Sequence, residues 1–207
     1  MKRVGSAAFT LLELLLVVAI LGIIGAFVLP TANTILRGGK LNQASQTVVD
    51  RLSLARQSAI AQNRPVEVRF YRYKDPESPA SSNSFRALQA FLVVKANQLN
   101  AMEKTQMLPS SVIIDSSPTL SSILDSSKRT LVTTGTTSIP RVGTNYSYIA
   151  VRFRPDGSTD LGPTTGPWFL TLHGESDKDG LTAPPPNFVT IAIDPVNGAL
   201  SFFRPGI

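Results

Sequence analysis

Residues 1–30 read MKRVGSAAFTLLELLLVVAILGIIGAFVLP, and this stretch decides which class of fold the chain can have. Two basic residues, Lys2 and Arg3, and a patch of small residues come first. An apolar run of about twenty positions follows and ends at Pro30. As a helix rising about 1.5 Å per residue, such a run just spans a hydrocarbon core of about 30 Å. The sequence therefore predicts a membrane-spanning helix.

Glu13 is the one ionisable residue inside the apolar run, and it separates the interpretations of the segment. A secretory signal peptide has an apolar core of about 7–15 residues and a small-residue cleavage site, so this longer, glutamate-containing run fits it poorly. A plain membrane anchor fits the length, but Glu13 then costs about 2.5–3.5 kcal/mol at full depth. A carboxylate at the headgroup level without a partner is a further alternative. The cost of burial favours an arrangement that supplies Glu13 with a partner.

The run AFTLLE at residues 8–13 resembles the class III leader junction of type IV pilins and type II secretion pseudopilins. The resemblance implies that residues 1–8 are a leader, that a prepilin peptidase cuts before Phe9, and that the new amine is methylated. The family usually has glycine immediately before the cut. This chain has Ala8 there, which is also small, so we expect processing.

Counted from Phe9, Glu13 is the fifth residue and Pro30 the twenty-second, where the family carries its glutamate and its helix-kinking proline. The cut would create an ammonium group at the membrane edge, and Glu13 of a neighbouring subunit can neutralise it. Such pairing offsets the burial of both charges and fixes the axial register of one helix against the next. Proline lacks an amide donor, so Pro30 would kink or interrupt the helix.

Small residues recur along the same segment at spacings of three and four. They would form a smooth stripe on which another helix backbone can approach closely, although membrane helices are generally enriched in such residues. The predicted packing residues are Ala19, Gly22, Gly25 and Ala26.

Residues 31–64 predict an amphipathic helix that follows the membrane segment at 9–30. The pair at residues 38–39 is Gly-Gly, which weakens a helix, and an Asn-Arg-Pro sequence at 63–65 ends it. Its apolar face should pack on a sheet, and its basic residues Arg37, Lys40, Arg51 and Arg56 are most simply solvated. The apolar face consists of Leu41, Ala44, Val48, Leu52, Ala55 and Ala59.

Residues 65–207 predict a β-rich globular head, because apolar and polar residues alternate from Val66 onward. A helix followed only by strands predicts an α+β fold with a long N-terminal helix packed on an antiparallel sheet. An Asn-Gly turn at 197–198 predicts a C-terminal hairpin. Polar stretches at 75–84, 116–141 and 174–186 are expected to be surface loops. The predicted strands are 66–70, 86–94, 111–114, 146–153, 168–172, 187–193 and 199–203.

The head also resembles the minor pseudopilins of the GspH/FimT type. The run FRPDG at 153–157 is similar to their strand-then-turn element, and the closing hairpin is similar in position. The runs FRALQ at 85–89 and NFVTI at 187–191 are similar to the verrucomicrobial cassette of pilin-like proteins. The resemblance implies a pilin-like fold and a minor subunit, with other pilins or pseudopilins and an inner-membrane assembly platform as partners. It implies a single-pass protein of the bacterial inner membrane with its head in the periplasm.

No constellation of residues predicts catalysis or a cofactor. His173 is the only histidine, and neither a nucleophile elbow nor a Gly-rich phosphate loop accompanies it, so it is expected to be an ordinary strand-end residue. Three carboxylates in residues 175–180 suggest a calcium loop, but Pro186 stands at the twelfth position of an EF-hand register. A solvated acidic loop is the alternative. The chain has no cysteine, which removes disulfides and thiolate ligands.

The charge balance, 20 basic against 14 acidic side chains, raises DNA binding as a rival function, since some FimT-like proteins bind DNA. The candidate contacts are Arg152 and Arg154 on one predicted strand, with Arg141 and Arg204. The tail at 198–207 lacks the paired arginines of that motif, so nucleic acid is not the expected partner. A solvated or salt-bridged sheet face is the alternative.

The sequence thus predicts a structural subunit, not an enzyme, which is cleaved and N-methylated at Phe9 and assembles into a type II secretion pseudopilus or a type IV pilus-like filament. The alternatives are a DNA-binding FimT-like minor pilin and an uncleaved, membrane-tethered binding module. Loss of residues 1–8 removes Lys2 and Arg3, so the side-chain balance of the mature chain would be 18 − 14 = +4.

Overall fold

A computed structural model describes residues 9–205 except 79–80, 96–97, 134–137 and 164–165, with only the backbone of residues 25–37. The predicted leader, residues 1–8, lies outside the described residues. The chain divides into two compact units, Met1–Gly38 and Gly39–Ile207. The boundary falls within the Gly-Gly pair that the sequence marked as a weak point of the helix.

Over the described backbone a continuous helix, α1, extends from Leu11 to Gln62. The two predicted helical segments are therefore continuous, and the interruption considered at Pro30 does not occur. The helix ends with Asn63 in the left-handed conformation at φ 48°. The N–H of Arg64 donates to the carbonyl of Ala59 and that of Asn63 to Ile60, both over 3.2 Å. This is a Schellman motif, and it confirms the predicted end of the helix.

Within the described part of the head, nine strands follow α1 and form one antiparallel sheet with the neighbour order β6-β1-β2-β5-β7-β8-β9, while β3 and β4 pair only with β2. The predicted α+β architecture is confirmed, and every predicted strand is present with ends shifted by a few residues. The strands β3 and β4 were not predicted. The strands are β1 Val66–Lys74, β2 Asn83–Lys95, β3 Gln98–Ala101, β4 Gln106–Met107, β5 Val112–Ile114, β6 Ser147–Phe153, β7 Trp168–Gly174, β8 Phe188–Ile193 and β9 Leu200–Phe203.

The apolar face of α1 predicted from the sequence is buried and packs on one face of the sheet. All six of its residues are at most 1% exposed. We call these six residues the core stripe of α1. The strand residues in the same cluster include Val66, Val68, Phe70, Leu88, Ile149, Val151, Phe153, Leu170, Leu172, Val189 and Ile191.

Two basic residues of α1 bind the head, contrary to the expectation that they would be solvated. Arg51 forms an ion pair with Glu103. The Nε of Arg56 donates to the carbonyl of Asn197 over 2.8 Å. The turns that pack beside α1 supply acceptors that a periodicity argument cannot foresee.

The pairing of β1 with β2 contains a β-bulge. Tyr71 pairs with Ala87 and Arg72 with Phe85, so Arg86 is the extra residue. A bulge of this kind re-aims side chains on the strand that carries it. A second apolar cluster lies on the opposite face of the sheet from the core stripe and contains Tyr71, Tyr73, Ala87, Phe91, Ile139 and Tyr146.

Part of the stretch 116–141 is buried, which corrects its prediction as a surface loop. A 3-10 turn at Ser122–Leu124 lies beside β7, and its residues are buried. The Oγ of Ser121 accepts from the N–H of Thr171 over 3.1 Å, and the Oγ of Ser122 accepts from Phe169 over 3.0 Å. The serine hydroxyls thus replace the strand partner that β7 lacks there, so polar residues can be buried.

Two turns from distant parts of the head meet beside the end of α1. The N–H of Thr159 donates to the carbonyl of Pro195 over 3.0 Å. Gly198 has φ 65°, and a Cβ placed on it would lie 2.3 Å from the carbonyl oxygen of Gly157. Only glycine fits this position, because both the backbone conformation and the close approach exclude a side chain.

Replacing Gly198 by alanine should destabilise the full-length chain by more than the roughly 1–2 kcal/mol of a left-handed alanine, because the turns must also separate. Gly143→Ala is the matched control, since Gly143 has φ 70° and open space at its Cβ position. Urea unfolding in detergent measures both variants. Equal losses in the two variants would show that contact between the turns contributes nothing.

Candidate functional site

The candidate site is the beginning of α1, where Thr10 fixes the first turn. The Oγ1 of Thr10 accepts a hydrogen bond from the N–H of Glu13 over 3.2 Å. Its carbonyl oxygen accepts from the N–H of Leu14, also over 3.2 Å. Threonine at the N-cap with glutamate three residues later has the spacing of a capping box. The Thr-x-x-Glu signal at 10–13 is readable in the sequence, although the predictions above did not use it.

The cap places Glu13 in the first turn of α1. A carboxylate at this place interacts favourably with the positive end of the helix dipole, by about 0.3–1 kcal/mol. That is less than the roughly 2.5–3.5 kcal/mol that the carboxylate costs deep in a bilayer. The helix therefore stabilises Glu13 only in part, and burial of this residue calls for a second positive group.

Beyond Glu13 the helix presents apolar side chains on all sides. Residues 14–18 are five consecutive apolar residues, and successive residues in a helix point about 100° apart. A helix that is apolar all round is normally covered by protein or lipid. We call residues 9–24 the apolar turns of α1. Their exposed large side chains are Phe9, Leu11, Leu12, Leu14, Leu15, Leu16, Val17, Val18, Ile20, Leu21, Ile23 and Ile24.

Two of the predicted packing residues, Ala19 and Gly22, lie within these turns and are exposed. Their spacing of three places them on the same face of the helix. The Cβ position of Gly22 has no neighbouring heavy atom within 4 Å. Gly25, Ala26 and Pro30 are described only by their backbone, and Ala8 lies outside the described residues. The part of the packing stripe that is described is therefore free for another helix.

Over the part of the chain that the structure describes, no helix has both the length and the apolar character needed to cross a bilayer.

The four arginines considered for DNA binding do not form one cluster. Arg141 forms an exposed ion pair with Glu77 at 2.6 Å, near the turn after β1. Arg152 pairs with Glu67 near the start of β1. Lys74 at the end of β1 is seven residues from Glu67, or about 23 Å along a strand. Arg141 and Arg152 thus lie towards opposite ends of β1.

The other two arginines are also separated from each other. Arg204 follows β9 and donates to the side-chain amide oxygens of Asn42 and Asn187. Arg154 is exposed in the turn just after β6, where its charge lies near Asp156. Arg152 and Arg154 were predicted to lie on one strand, but only Arg152 belongs to β6, and Arg154 lies in the turn after it. The arrangement does not build the continuous basic surface that phosphate binding requires.

Glu67 is the centre of a charge cluster on the outer face of the sheet. It is 3% exposed and accepts from Arg69 and from Arg152, each at 2.7 Å. The Arg69 guanidinium lies between the rings of Phe91 and Tyr148, 4.7 and 4.4 Å from their centres. Two of the basic side chains are thereby bound within the head, as the salt-bridged alternative expects.

The acidic stretch 175–180 is bound to the head through its carboxylates. Glu175 forms an ion pair with Arg86, which is 3% exposed. Asp179 accepts from the N–H of Ser116 over 2.7 Å. Among the described residues, no three His, Cys, Asp or Glu side chains are grouped so as to hold a metal ion. The stretch is therefore neither freely solvated nor arranged as the calcium loop that was considered.

His173 is not an ordinary strand-end residue, which corrects that expectation. It is the penultimate residue of β7, wholly buried, and its Nε2 lies 2.9 Å from Oδ2 of the buried Asp115. Its Nδ1 lies 2.9 Å from the carbonyl oxygen of Gly174. Both ring nitrogens are occupied, so the imidazole has no nitrogen left to activate a nucleophile. The pairing with Asp115 joins residues far apart in sequence and has no local signal.

The comparisons with known proteins include a likeness to a solved structure. The chain is similar to the minor pseudopilin EpsH from the type 2 secretion system of Vibrio cholerae, with 13% sequence identity and a TM-score of 0.45. The likeness covers 81% of this chain and 99% of that one. No protein-family model matches the sequence, and no curated protein matches it significantly.

We expect the full-length protein not to retard a DNA duplex in a gel shift even at low ionic strength, because the four arginines are dispersed. The control is a variant with Ala at Arg152 and Arg154, which should behave identically. Retardation by the parent chain that weakens with salt and is reduced in this variant would contradict the expectation.

Proposed function

We propose that this chain is a minor prepilin-like subunit that assembles through α1 into a type II secretion pseudopilus or a type IV pilus-like filament. The proposal includes cleavage before Phe9 and methylation of the new amine by a prepilin peptidase. The observation that carries it is the capped Glu13 at the start of a helix whose apolar turns are exposed on all sides. The leader-like sequence at 8–13 supports the same assignment.

The assembly mechanism follows from the charges at the helix start. Cleavage would leave an ammonium group on Phe9, four residues before Glu13. When the apolar turns of neighbouring subunits pack together, the carboxylate of one subunit neutralises the amine of the next. An unpaired buried charge is costly, so only the axial shift that pairs the two groups is favourable. The pair therefore sets the register of the filament.

Before assembly, the apolar run at 9–30 resides in the inner membrane as a single pass with the head in the periplasm. Lipid then covers the side chains that neighbouring helices cover in the filament. Small residues such as Ala19 and Gly22 allow close helix contact in either environment. The partners are the peptidase, other pilins or pseudopilins, and an inner-membrane assembly platform.

The alternative, an uncleaved membrane-tethered module, differs in the chemistry of the N-terminus. Intact-mass spectrometry of the protein from membranes should give a chain that begins at Phe9 and carries one added methyl group. Ala8→Gly should be processed at least as well, because glycine is the residue usual before the cut. Ala8→Leu should accumulate uncleaved, because a bulky side chain stands before the cut. Retention of residues 1–8 in the parent chain would establish the alternative.

Glu13→Gln should weaken association between subunits by about a hundredfold or more, because leaving one member of a buried charge pair alone costs about 3–5 kcal/mol. Glutamine keeps the capping-box spacing with Thr10, so the variant removes charge and not the helix start. The chain has no cysteine, so Leu16→Cys reports helix contact through disulfide cross-linking between subunits.

The matched control is Asp50→Asn, which removes an exposed carboxylate from the same helix. It should cross-link like the parent. Equal cross-linking by the Glu13→Gln and Asp50→Asn variants would refute the charge-pairing mechanism, even if the chain proved to be a cleaved subunit.

A further inference from the structure

The buried pair of His173 and Asp115 lies outside the proposed assembly site and holds three segments of the head together. Asp115 follows β5, and its Oδ1 accepts from the N–H of Ser117 over 2.7 Å. Its Oδ2 accepts from the N–H of Gly180 over 3.1 Å and of Leu181 over 3.2 Å. The same Oδ2 lies 2.9 Å from Nε2 of His173 on β7. The pair thus joins the ends of β5 and β7 to residues 180–181.

The two partners of the imidazole decide its protonation. Nε2 faces a carboxylate oxygen and Nδ1 faces the carbonyl oxygen of Gly174, and both oxygens only accept hydrogen bonds. A neutral imidazole has one N–H and would leave one nitrogen lone pair against an acceptor. The imidazolium donates to both oxygens, and its charge compensates the buried carboxylate of Asp115.

We propose that His173 is an imidazolium in the folded head and that it acts as a pH-sensitive latch, holding residues 178–181 against the end of β5. Loss of the proton removes one hydrogen bond and leaves the charge of Asp115 buried without a cation. The uncompensated carboxylate is then stabilised by exposure to water, so the segment 178–181, in which it binds the Gly180 and Leu181 amides, detaches.

The charged groups packed around the latch favour the imidazolium. Asp177, in the 3-10 turn after β7, adds negative charge near the ring. The carboxylate of Asp179 accepts from the N–H of Ser116, next to Asp115 in sequence, and is also negative. The one positive group in this segment, Lys178, is exposed to solvent. On the flanking strands the register partners of His173 are Ile113 and Phe188, which carry no charge.

A second ion pair limits how much of the segment is released. Glu175 is bound to Arg86, which comes from β2. This ion pair includes neither His173 nor Asp115. The 3-10 turn at Glu175–Asp177 therefore stays attached, and opening is confined to the residues after it.

The directions of the two pKa shifts agree with this geometry. Burial lowers the pKa of His173, but its hydrogen bonds to Asp115 and to the Gly174 carbonyl outweigh burial and raise the pKa above its usual value. Burial raises the pKa of Asp115, but hydrogen bonds from His173, Ser117 and Leu181 lower it overall.

The sign of the pH dependence follows from these shifts. The contribution of His173 to stability is complete below about 6.5, its unfolded pKa, and is lost as pH rises through the higher folded pKa. The contribution of Asp115 is complete above its unfolded pKa of about 3.9 and is lost in acid. The latch is therefore closed between about pH 3.9 and 6.5, and it opens as pH rises through the folded pKa of His173.

The direct test is an NMR pH titration of the full-length chain in detergent, where His173 is the only histidine and its ring signals are unambiguous. The ring should titrate above about 6.5. The hydrogen-exchange protection factors of the Gly180 and Leu181 amides should fall by up to about tenfold per pH unit between about 6.5 and the folded pKa of His173, and then level off. Protection factors already correct for the faster intrinsic exchange at high pH.

The internal control is the amide of Ser158, which donates to the Asp156 carboxylate over 2.9 Å. Its protection factor should not follow the titration. In the variant His173→Gln, the protection of Gly180 and Leu181 should be lower at pH 6 and independent of pH. A ring that titrates below about 6.5, or protection that is unchanged through the titration, would overturn the latch. The parent-chain titration decides the question even if the variant does not fold.

Discussion

The packing of the core stripe of α1 on the sheet is the interaction on which the head depends. Half of the stripe consists of alanine, at positions 44, 55 and 59, so the helix backbone can approach the strands closely. Large residues such as Phe70 and Phe153 come from the opposing strands and fill the remaining space. The Schellman turn at Asn63 reverses the chain directly after the stripe ends, so β1 begins at Val66 already facing the helix.

The apolar residues of α1 are distributed differently in the two parts of the helix. Beyond residue 39 the buried apolar residues keep to one side, as expected for a helix with a polar face in water, and of the large apolar residues only Leu54 and Ile60 are exposed. Between residues 9 and 24 the apolar side chains surround the axis, and intramolecular contacts do not bury them. In the first part alone, contacts within one chain bury the apolar face of the helix. The second requires an environment that the chain does not itself supply, and this requirement is the reason that we propose assembly.

Periodicity predicted the parts of the fold that depend on local pattern. The core stripe of α1 and the alternating strand β8 were readable because their side chains repeat every 3.6 or two residues. The short strands β3 and β4 have no such pattern, since two to four residues do not establish a period. Ser121 and Ser122 appeared to be loop residues because their role is to complete the hydrogen bonds of β7, fifty residues away in sequence.

The candidate site was predictable to a similar degree and for the same reason. Glu13 stands out because it is a charge inside an apolar run, and Thr10 has a readable spacing to it. In the head, by contrast, charged residues acquire their roles from distant partners. Arg86 binds Glu175, and His173 binds Asp115, across gaps of more than fifty residues. Charge signs and counts in a sequence do not reveal such pairings.

These pairings change what the positive net charge of the chain implies. A positive excess of +6 suggests attraction to a polyanion when the charges are considered as free. In the head, several guanidinium groups instead compensate buried or half-buried acidic groups, as Arg152 and Arg69 do for Glu67. If an arginine of such a pair contacts a phosphate instead, its carboxylate partner is left buried without a positive charge, and that exchange is unfavourable. These paired arginines therefore serve the fold, whereas the apolar side chains of residues 9–24 are left without intramolecular cover.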